Sequence, residues 1–359
     1  VMLMEDHTTL DFDIVPVKAS RLMEVDFSNL SFGKVFSDHM FVMDHVDGAW
    51  QKGEISAFGP MTFSPAMMSL HYGQAIFEGM KAFRQEDGSV SLFRPGSNIK
   101  RLNFSAQRMS MPTVPEDIFL QALVEMVRLD KEWVPDAPNS ALYIRPFMFA
   151  TESHVGVRPS MTYRFCIFTC PVGAYYTDPV KVKVEQHFTR AANGGTGAAK
   201  AAGNYAGSLY PTELAKSEGY DQILWTDADT HERVEECGTM NIAFVIDGVM
   251  VVPKTSDTVL SGVTRASAIH LMRHAGTEVV EREVSVTELA EASKDGRLTE
   301  AFGLGTAATI SPICTLGLPS GDWDLPSQET WVVAPQVKKW LDGVRYGTGE
   351  DPFGWNIPL

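Results

Sequence analysis

The sequence predicts an α+β protein with largely antiparallel or mixed sheets, divided into two domains. Three observations lead there: strand-length apolar runs joined by Asp-Gly turns, amphipathic helical stretches between them, and a chain long enough for two cores. Asp47-Gly48, Asp87-Gly88 and Asp247-Gly248 each separate two strand-like runs, the strongest short-range signal of a hairpin. Hairpins outnumber strand-helix-strand crossovers, which favours antiparallel or mixed pairing. The 359 residues allow two domains of ordinary size or one large α/β unit, and 44% hydrophobic with 21% charged residues describes a compact chain.

Residues 1 to about 35 show no period and are expected to wrap over the surface. Phe41 to His45 and Trp50 to Ala57 make the first hairpin, Gly79 to Arg84 and Ser89 to Phe93 the second. Pro95 opens a helix with Ile99, Leu102 and Ala106 on one face. Pro115 to Trp133 reads as the strongest helix of the first half. Glu116 and Asp117 stand at its start, and Phe119, Ala122, Leu123, Met126 and Val127 form its buried stripe. Two long strands follow, Ala141 to Ala150 and Tyr163 to Val172. The polar, Gly- and Pro-punctuated segment 173–179 then links a smaller N-terminal domain, 1–172, to a larger C-terminal one, 180–359.

The second half opens on Val180 to Val184, alternately apolar and charged. A helix to about Ser217 is expected after a glycine-rich run, then the strand Gln222 to Trp225. Ile242 to Ile246 pairs across a turn with Val249 to Val252, and Gly262-Val263-Thr264 opens a helix to His274. Ser285-x-x-Glu288 is a capping-box pattern before another helix. Strand-like Ala301 to Leu304 runs into Gly305-Thr306-Ala307-Ala308, and a helix from about Pro335 to Tyr346 closes the chain.

A formal net charge of −15, from 30 Lys+Arg against 45 Asp+Glu, repels polyanions and argues against a nucleic-acid partner. No basic run suggests a membrane patch, no apolar stretch approaches the roughly 20 residues that span a bilayer, and the first residues lack a secretory signal pattern. Cys166, Cys170, Cys237 and Cys314 form no C-x-x-C pair and are expected to be reduced, in the cytoplasm. Cys166 and Cys170 fall on one strand face and read as core packing. His270 and His274 stand four apart without the glutamate of the zinc-protease motif, so no metal site is expected.

The chemistry centres on Gly194-Gly195-Thr196-Gly197-Ala198-Ala199-Lys200, continuing Ala201-Ala202-Gly203-Asn204-Tyr205. A phosphate loop would need Gly before the lysine and Ser or Thr after it; Ala199 and Ala201 stand there instead. Small neighbours let an amine approach something flat, and a neutral amine is the nucleophile that condenses with carbonyls. From this run alone, a surface loop with a solvated lysine remains the plain alternative. Glu236 is the well-placed acid of the same half, in a glycine-flanked turn. Gly262 to Thr264 starts a helix whose free N–H groups suit an anion. Tyr143 and Arg145 share a strand face, where an arginine either pairs with a structural acid or binds a carboxylate. The pieces fit pyridoxal phosphate, which needs a lysine for its aldehyde, a phosphate cup and an acid at the pyridine nitrogen. Gly262 to Thr264, Thr306 and Arg101 are the candidates for the cup.

Five motifs then carry a resemblance: Phe77-Glu78-Gly79-Met80-Lys81-Ala82-Phe83; Tyr143-Ile144-Arg145-Pro146; Gly194 to Lys200 with Gly203-Asn204-Tyr205; Glu236-x-Gly238-Thr239-Met240-Asn241; and Gly305-Thr306-Ala307-Ala308. In this order they are similar to the branched-chain amino acid aminotransferases of bacterial type, a class IV, fold type IV group of pyridoxal-phosphate enzymes. The likeness runs from about Phe32 to the C-terminal helix. It implies a cytoplasmic, biosynthetic enzyme moving the amino group between Leu, Ile or Val and 2-oxoglutarate, as a homodimer with partner residues near the pocket. Lys200 would be the Schiff-base lysine and proton shuttle, Glu236 would bond the pyridine nitrogen and Tyr205 the ring hydroxyl. Arg101, the amides of Val263 and Thr264, and the side chains of Thr239 and Thr306 would bind the phosphate. Tyr72, Phe77, Tyr143 and Tyr175 would wall the substrate pocket, amides near Thr306-Ala307 would hold the α-carboxylate, and Arg145 would meet the side-chain carboxylate of glutamate. Three departures stand out: Ala202 where a glycine is usual, Cys237 where valine is common, and Ala308 and Ser311 in place of the mammalian C-x-x-C pair. D-amino acid transaminases and aminodeoxychorismate lyases of the same fold type are the nearest alternatives, and a nucleotide-binding module is one of another class.

Overall fold

The computed structural model describes residues 11–173, 178–307 and 309–359. Its strands make two large sheets, of ten and nine strands. In the first, the order is Phe12–Ile14, Gly53–Ala57, His39–Val46, Tyr163–Val172, Ala141–Ala150, Met80–Arg84, Val90–Phe93 and Asn356–Pro358. Every neighbouring pair on that path is antiparallel except the first. Asp47 and Gly48 both take positive φ at the first hairpin turn, the geometry a two-residue primed turn requires. Ala141–Ala150 and Tyr163–Val172 pair along their whole length and are the spine of this sheet. Helices Pro95–Arg108 and Glu116–Leu129 cover one face of it. The second helix buries Phe119, Ala122, Leu123, Met126 and Val127, the stripe its spacing predicts, but it stops at Leu129 and a short 3₁₀ turn carries the chain to Trp133.

The second sheet runs Val234–Cys237, Gln222–Thr226, Val180–Val184, Thr309–Leu318, Leu298–Gly305, Asn241–Ile246, Val249–Pro253 and Val279–Arg282. It is mixed. Val180–Val184 pairs in parallel with strands on both sides, and Val249–Pro253 pairs in parallel with Val279–Arg282. Helices Val263–His274, Val286–Lys294 and Val333–Tyr346 pack over it. Ser285 caps the middle one by accepting the Glu288 N–H at 2.9 Å, as the capping box predicts. The core of this half reaches across to Phe83, Phe93, Ala141 and Tyr143 of the first sheet, so the two layers meet on a shared apolar seam.

Four expectations need correction. Thr309–Leu318, ten residues long, is a central strand that the sequence did not announce. Glu236 sits within a short strand, Val234–Cys237, and not in the glycine-flanked turn expected for it. The helix expected before Ser217 is broken into Ala202–Ala206 and Leu209–Ser217. The last strand, Asn356–Pro358, returns to the first sheet beside Val90–Phe93. Among the described residues no helix is long and apolar enough to cross a membrane.

Candidate active site

A cavity of about 590 Å³ opens where the two sheets meet. Lys200 enters it from the glycine-rich run, whose backbone is tied down on three sides. Arg108 donates to the carbonyls of Gly194 and Gly195, both at 3.0 Å, and Asp257 accepts the Gly194 N–H at 2.8 Å. Asn204 holds the carbonyls of Thr196 and Ala199, both at 2.9 Å. At the lysine itself the N–H donates to Ser105 Oγ at 2.8 Å and the carbonyl accepts the Phe77 N–H at 3.1 Å. The run is therefore a fixed bracket and not a loose surface loop. Lys200 Nζ donates to the Tyr205 hydroxyl at 3.0 Å and stands 4.9 Å from the Phe77 ring centroid.

Glu236 lies on the cavity wall and is buried. Burial pushes its carboxyl above the usual range, opposed by the Arg190 guanidinium and the Leu260 N–H. Both of these bind the same oxygen: Leu260 N donates to Oε1 at 2.5 Å, and Arg190 Nη2 lies 3.3 Å from it. Oε2 is left for whatever enters the cavity. Arg190 also donates to the carbonyls of Gly197 and Thr258, at 2.9 and 2.7 Å, so one guanidinium links the lysine bracket to the acid.

The third side is the start of helix Val263–His274, where the first N–H groups have no intrahelical partner. Gly262 is required at its N-cap: a Cβ there would collide with Asn241 Oδ1, and Asn241 in turn donates to the Leu260 carbonyl at 2.8 Å. Thr239 and Thr306 line the same end. Arg101 reaches it too, but its charge is matched. Its Nε and Nη2 bind both oxygens of Glu78, at 2.7 and 2.8 Å, and Nη1 donates to the Ser261 carbonyl at 3.0 Å. Burial alone would raise the Glu78 carboxyl; the Arg101 guanidinium outweighs it and holds the group below the usual range. Glu78 is the partner that sequence reasoning did not assign. Its signal was a carboxylate inside the apolar Phe77-Glu78-Gly79 run.

Part of the wall is aromatic, from Phe32, Phe77, Tyr143, Phe147 and Phe168. Gly79 lets Tyr143 swing close, since a Cβ there would strike the phenol oxygen. Arg145 Nη2 donates to that phenol at 2.8 Å, its guanidinium lies 4.6 Å over the Phe77 ring, and its Nε is buried without a partner. Ala307 completes the lining beside Thr306. The cavity thus gathers Lys200, Arg101, Tyr205, Glu236, Thr239, Val263, Thr264, Thr306, Phe77, Tyr143, Arg145 and Ala307. Tyr72 is not among them. It ends the short helix Met68–Tyr72, which turns away at a left-handed Gly73 and leaves the tyrosine 38% exposed beside exposed Leu70. Tyr175 lies outside the described residues, as does Ala308. Cys166 and Cys170 are unpaired and buried, and burial pushes their thiols up to about 12 and about 11.

Two sheets folded around an amine, a buried acid and a helix start define a fold type IV aminotransferase. The sequence profile of the Amino-transferase class IV family matches residues 75–316, and the chain belongs to that family. It is 46% identical over 339 residues to Branched-chain-amino-acid transaminase 1 of Bacillus subtilis (strain 168), covering 93% of this chain and 95% of the relative. Branched-chain-amino-acid aminotransferase 2 of the same organism is 44% identical over 349 residues, with 96% of each chain covered. Among solved structures, the branched-chain amino acid aminotransferase from Escherichia coli superposes with a TM-score of 0.72 at 25% identity, covering 89% of this chain and 98% of that one.

Proposed function

We propose that this protein is a transaminase that carries the amino group between branched-chain L-amino acids and 2-oxoglutarate, with pyridoxal phosphate held at Lys200. The observation that carries the reading is the opposition of Lys200 Nζ and the free Glu236 oxygen across one cavity, with a helix N-terminus on its third side. The residues suit the cofactor. An amine, a hydroxyl from Tyr205, a carboxyl and free backbone N–H groups match an aldehyde, a phenol oxygen, a pyridine nitrogen and a phosphate. Both relatives above are named for transamination of branched-chain amino acids.

Once bound, the cofactor supplies an electron sink for the carbanion formed at the substrate Cα. The chain's own groups do the rest. Lys200 Nζ would take the proton from Cα of the amino-acid donor and, in the reverse half of the exchange, deliver one to Cα of the 2-oxo-acid acceptor, with the Tyr205 hydroxyl 3.0 Å away to orient the amine. Glu236, raised by burial but drawn back toward its ionised form by Arg190 and the Leu260 N–H, would pair as a carboxylate with the protonated ring nitrogen. The amides of Val263 and Thr264, with Thr239, Thr306 and Arg101, hold the phosphate; Glu78 fixes the direction of Arg101. The amides near Thr306 and Ala307 take the α-carboxylate. Phe77 and Tyr143 enclose an aliphatic side chain, each methylene of which gains about 0.8 kcal/mol on burial. Arg145 at the edge of that wall meets the second carboxylate of glutamate, so one pocket serves both substrates.

A homodimer in the cytoplasm goes with this reading. Leu70, Tyr72, Val155 and Val157 are exposed apolar residues on two adjoining segments that Met67 and Ser153 bridge, a face suited to a second copy. All four cysteines are free thiols, as a reducing compartment maintains. The test is a coupled assay on purified protein with added pyridoxal phosphate. Glutamate formation from L-leucine and 2-oxoglutarate is expected; transfer from D-alanine with none from L-leucine would overturn the assignment in favour of another fold type IV enzyme.

A further inference from the structure

The two helices that face the anion end of the cavity are joined by one arginine. Helix Pro95–Arg108 carries Arg101, and helix Val263–His274 begins with Val263 and Thr264 on the cavity wall. Arg94, the residue immediately before the first of these helices, donates from Nη1 to Ser267 Oγ on the second at 2.7 Å. Ser267 is fully buried, and its hydroxyl gives its own hydrogen to the Val263 carbonyl, also at 2.7 Å. That carbonyl and the Thr264 N–H belong to one peptide unit. A cation, a hydroxyl and a peptide therefore stand in series, and the far end of the series is one of the helix-start N–H groups that lack an intrahelical partner.

Arg94 is firmly held. Its backbone takes a left-handed φ of 50°, a conformation unfavourable for a residue with a Cβ and retained only where the surroundings dictate it. The C-terminal tail dictates it here. The Arg94 N–H donates to the Trp355 carbonyl at 2.9 Å, and the guanidinium lies 4.4 Å over the Trp355 ring. Trp355 in turn stacks on Phe353 and meets Phe93 edge-on, and the residues after it pair with Val90–Phe93. Arg101 has Glu78, Arg190 has Glu236 and Arg265 has Glu281, but among the described residues no carboxylate forms an ion pair with Arg94. Burial lowers its guanidinium from the ordinary value with no opposing charge to restore it. A covered, unmatched cation acts over a longer range than a paired or solvated one. A strap between two domains would need no charge at this place.

We propose that Arg94 is a positioning residue for the phosphate: through Ser267 it orients and polarises the Val263–Thr264 peptide, so that the helix start binds a dianion more strongly than its own dipole would allow. This rests on the function proposed above. A carbonyl that accepts from a cation-linked hydroxyl makes the N–H of the same peptide a stronger donor, because hydrogen bonds in a chain polarise one another. The helix dipole acts in the same sense, positive at Val263. The tail, by covering the guanidinium, keeps this influence from being screened. Phe353 and Trp355 thus take part in cofactor retention although neither lines the cavity.

The experiment measures binding of pyridoxal phosphate, and of pyridoxal without the phosphate, to the full-length protein stripped of cofactor, by the change in visible absorbance. The ratio of the two affinities isolates the phosphate, since damage to the lysine or ring site weakens both ligands alike. Ser267→Ala, which cuts the series at one hydroxyl, should lower the ratio about threefold. Arg94→Met, which removes the charge, should lower it roughly tenfold, and Arg94→Lys should restore most of that loss. Pyridoxal affinity should stay at the wild-type value in all three. Should Arg94→Met fail to fold, Ser267→Ala decides. A wild-type ratio in either Ser267→Ala or Arg94→Met, whether affinities are unchanged or weakened in parallel, would overturn the proposal and leave the arginine a strap between domains. Wild type that binds no pyridoxal phosphate would overturn the functional reading as well.

Discussion

Replacing Glu78 by Gln tests the account of the anion end most sharply, because it changes one charge and almost no volume. Glu78 is fully buried and accepts from Arg101 Nε and Nη2 at 2.7 and 2.8 Å, from Asn98 Nδ2 at 2.9 Å and from the Gly79 N–H at 3.2 Å. Glutamine leaves Arg101 buried beside a neutral amide, one of whose arms is a donor facing a donor. Removing one member of such a pair costs about 3–5 kcal/mol, which for a chain of this size lowers the melting temperature on the order of 5 °C. The pH dependence carries a sign as well. The Glu78 carboxyl is held below its ordinary 4.5, so its contribution is complete above that value and is lost as pH falls through the lower, folded-state one. Calorimetry from pH 7 down to the acid limb should show the variant less stable at neutrality and the difference closing in acid. Cofactor affinity should fall too, as Arg101 loses its fixed direction. A variant with the melting temperature and acid limb of wild type would refute the reasoning.

Other outcomes follow from the same geometry. Arg145→Ala should reduce kcat/KM for 2-oxoglutarate by roughly 10- to 100-fold, the value of a hydrogen bond to charge, while leucine turnover changes far less; steady-state kinetics with both substrates decides it. Gly262→Ala drives a methyl group into Asn241 and displaces the helix start, and equilibrium dialysis should report cofactor binding weakened by about tenfold or more. Arg190→Met removes the cation that opposes the raised Glu236 carboxyl, so the pH titration of the bound cofactor's visible absorbance should shift upward. The double substitution Leu70→Asp with Val157→Asp should shift sedimentation velocity from dimer to monomer.

Much of the architecture was legible because local signals agreed with the tertiary outcome. The stripe from Phe119 to Val127 is buried as its spacing demands, and the strands Ala141–Ala150, Tyr163–Val172 and Val180–Val184 have the bounds their composition gives. Thr309–Leu318 was hidden by its own composition. Pro312, Gly317 and small polar residues break the β pattern, and only pairing with Leu298–Gly305 and Val180–Val184 makes it a strand. Parallel pairing in the second sheet was equally silent, since it joins segments far apart in the chain. In the site, Lys200, Glu236 and the helix start announced themselves by motif. Their supports did not: Glu78 is 23 residues from Arg101, and Arg345 is 81 from Thr264, distances over which no periodicity speaks. Tyr72 stands outside the cavity of its own chain, because its short helix ends at a left-handed Gly73 and leaves it partly exposed.

The central claim is that the Lys200 side chain holds the cofactor. Borohydride treatment of the holoenzyme fixes pyridoxal phosphate to whichever amine carries it, and peptide mass mapping then reads the position. The account predicts the label on Lys200 alone; a label on Lys81 or on a surface lysine, or none at all, would contradict it.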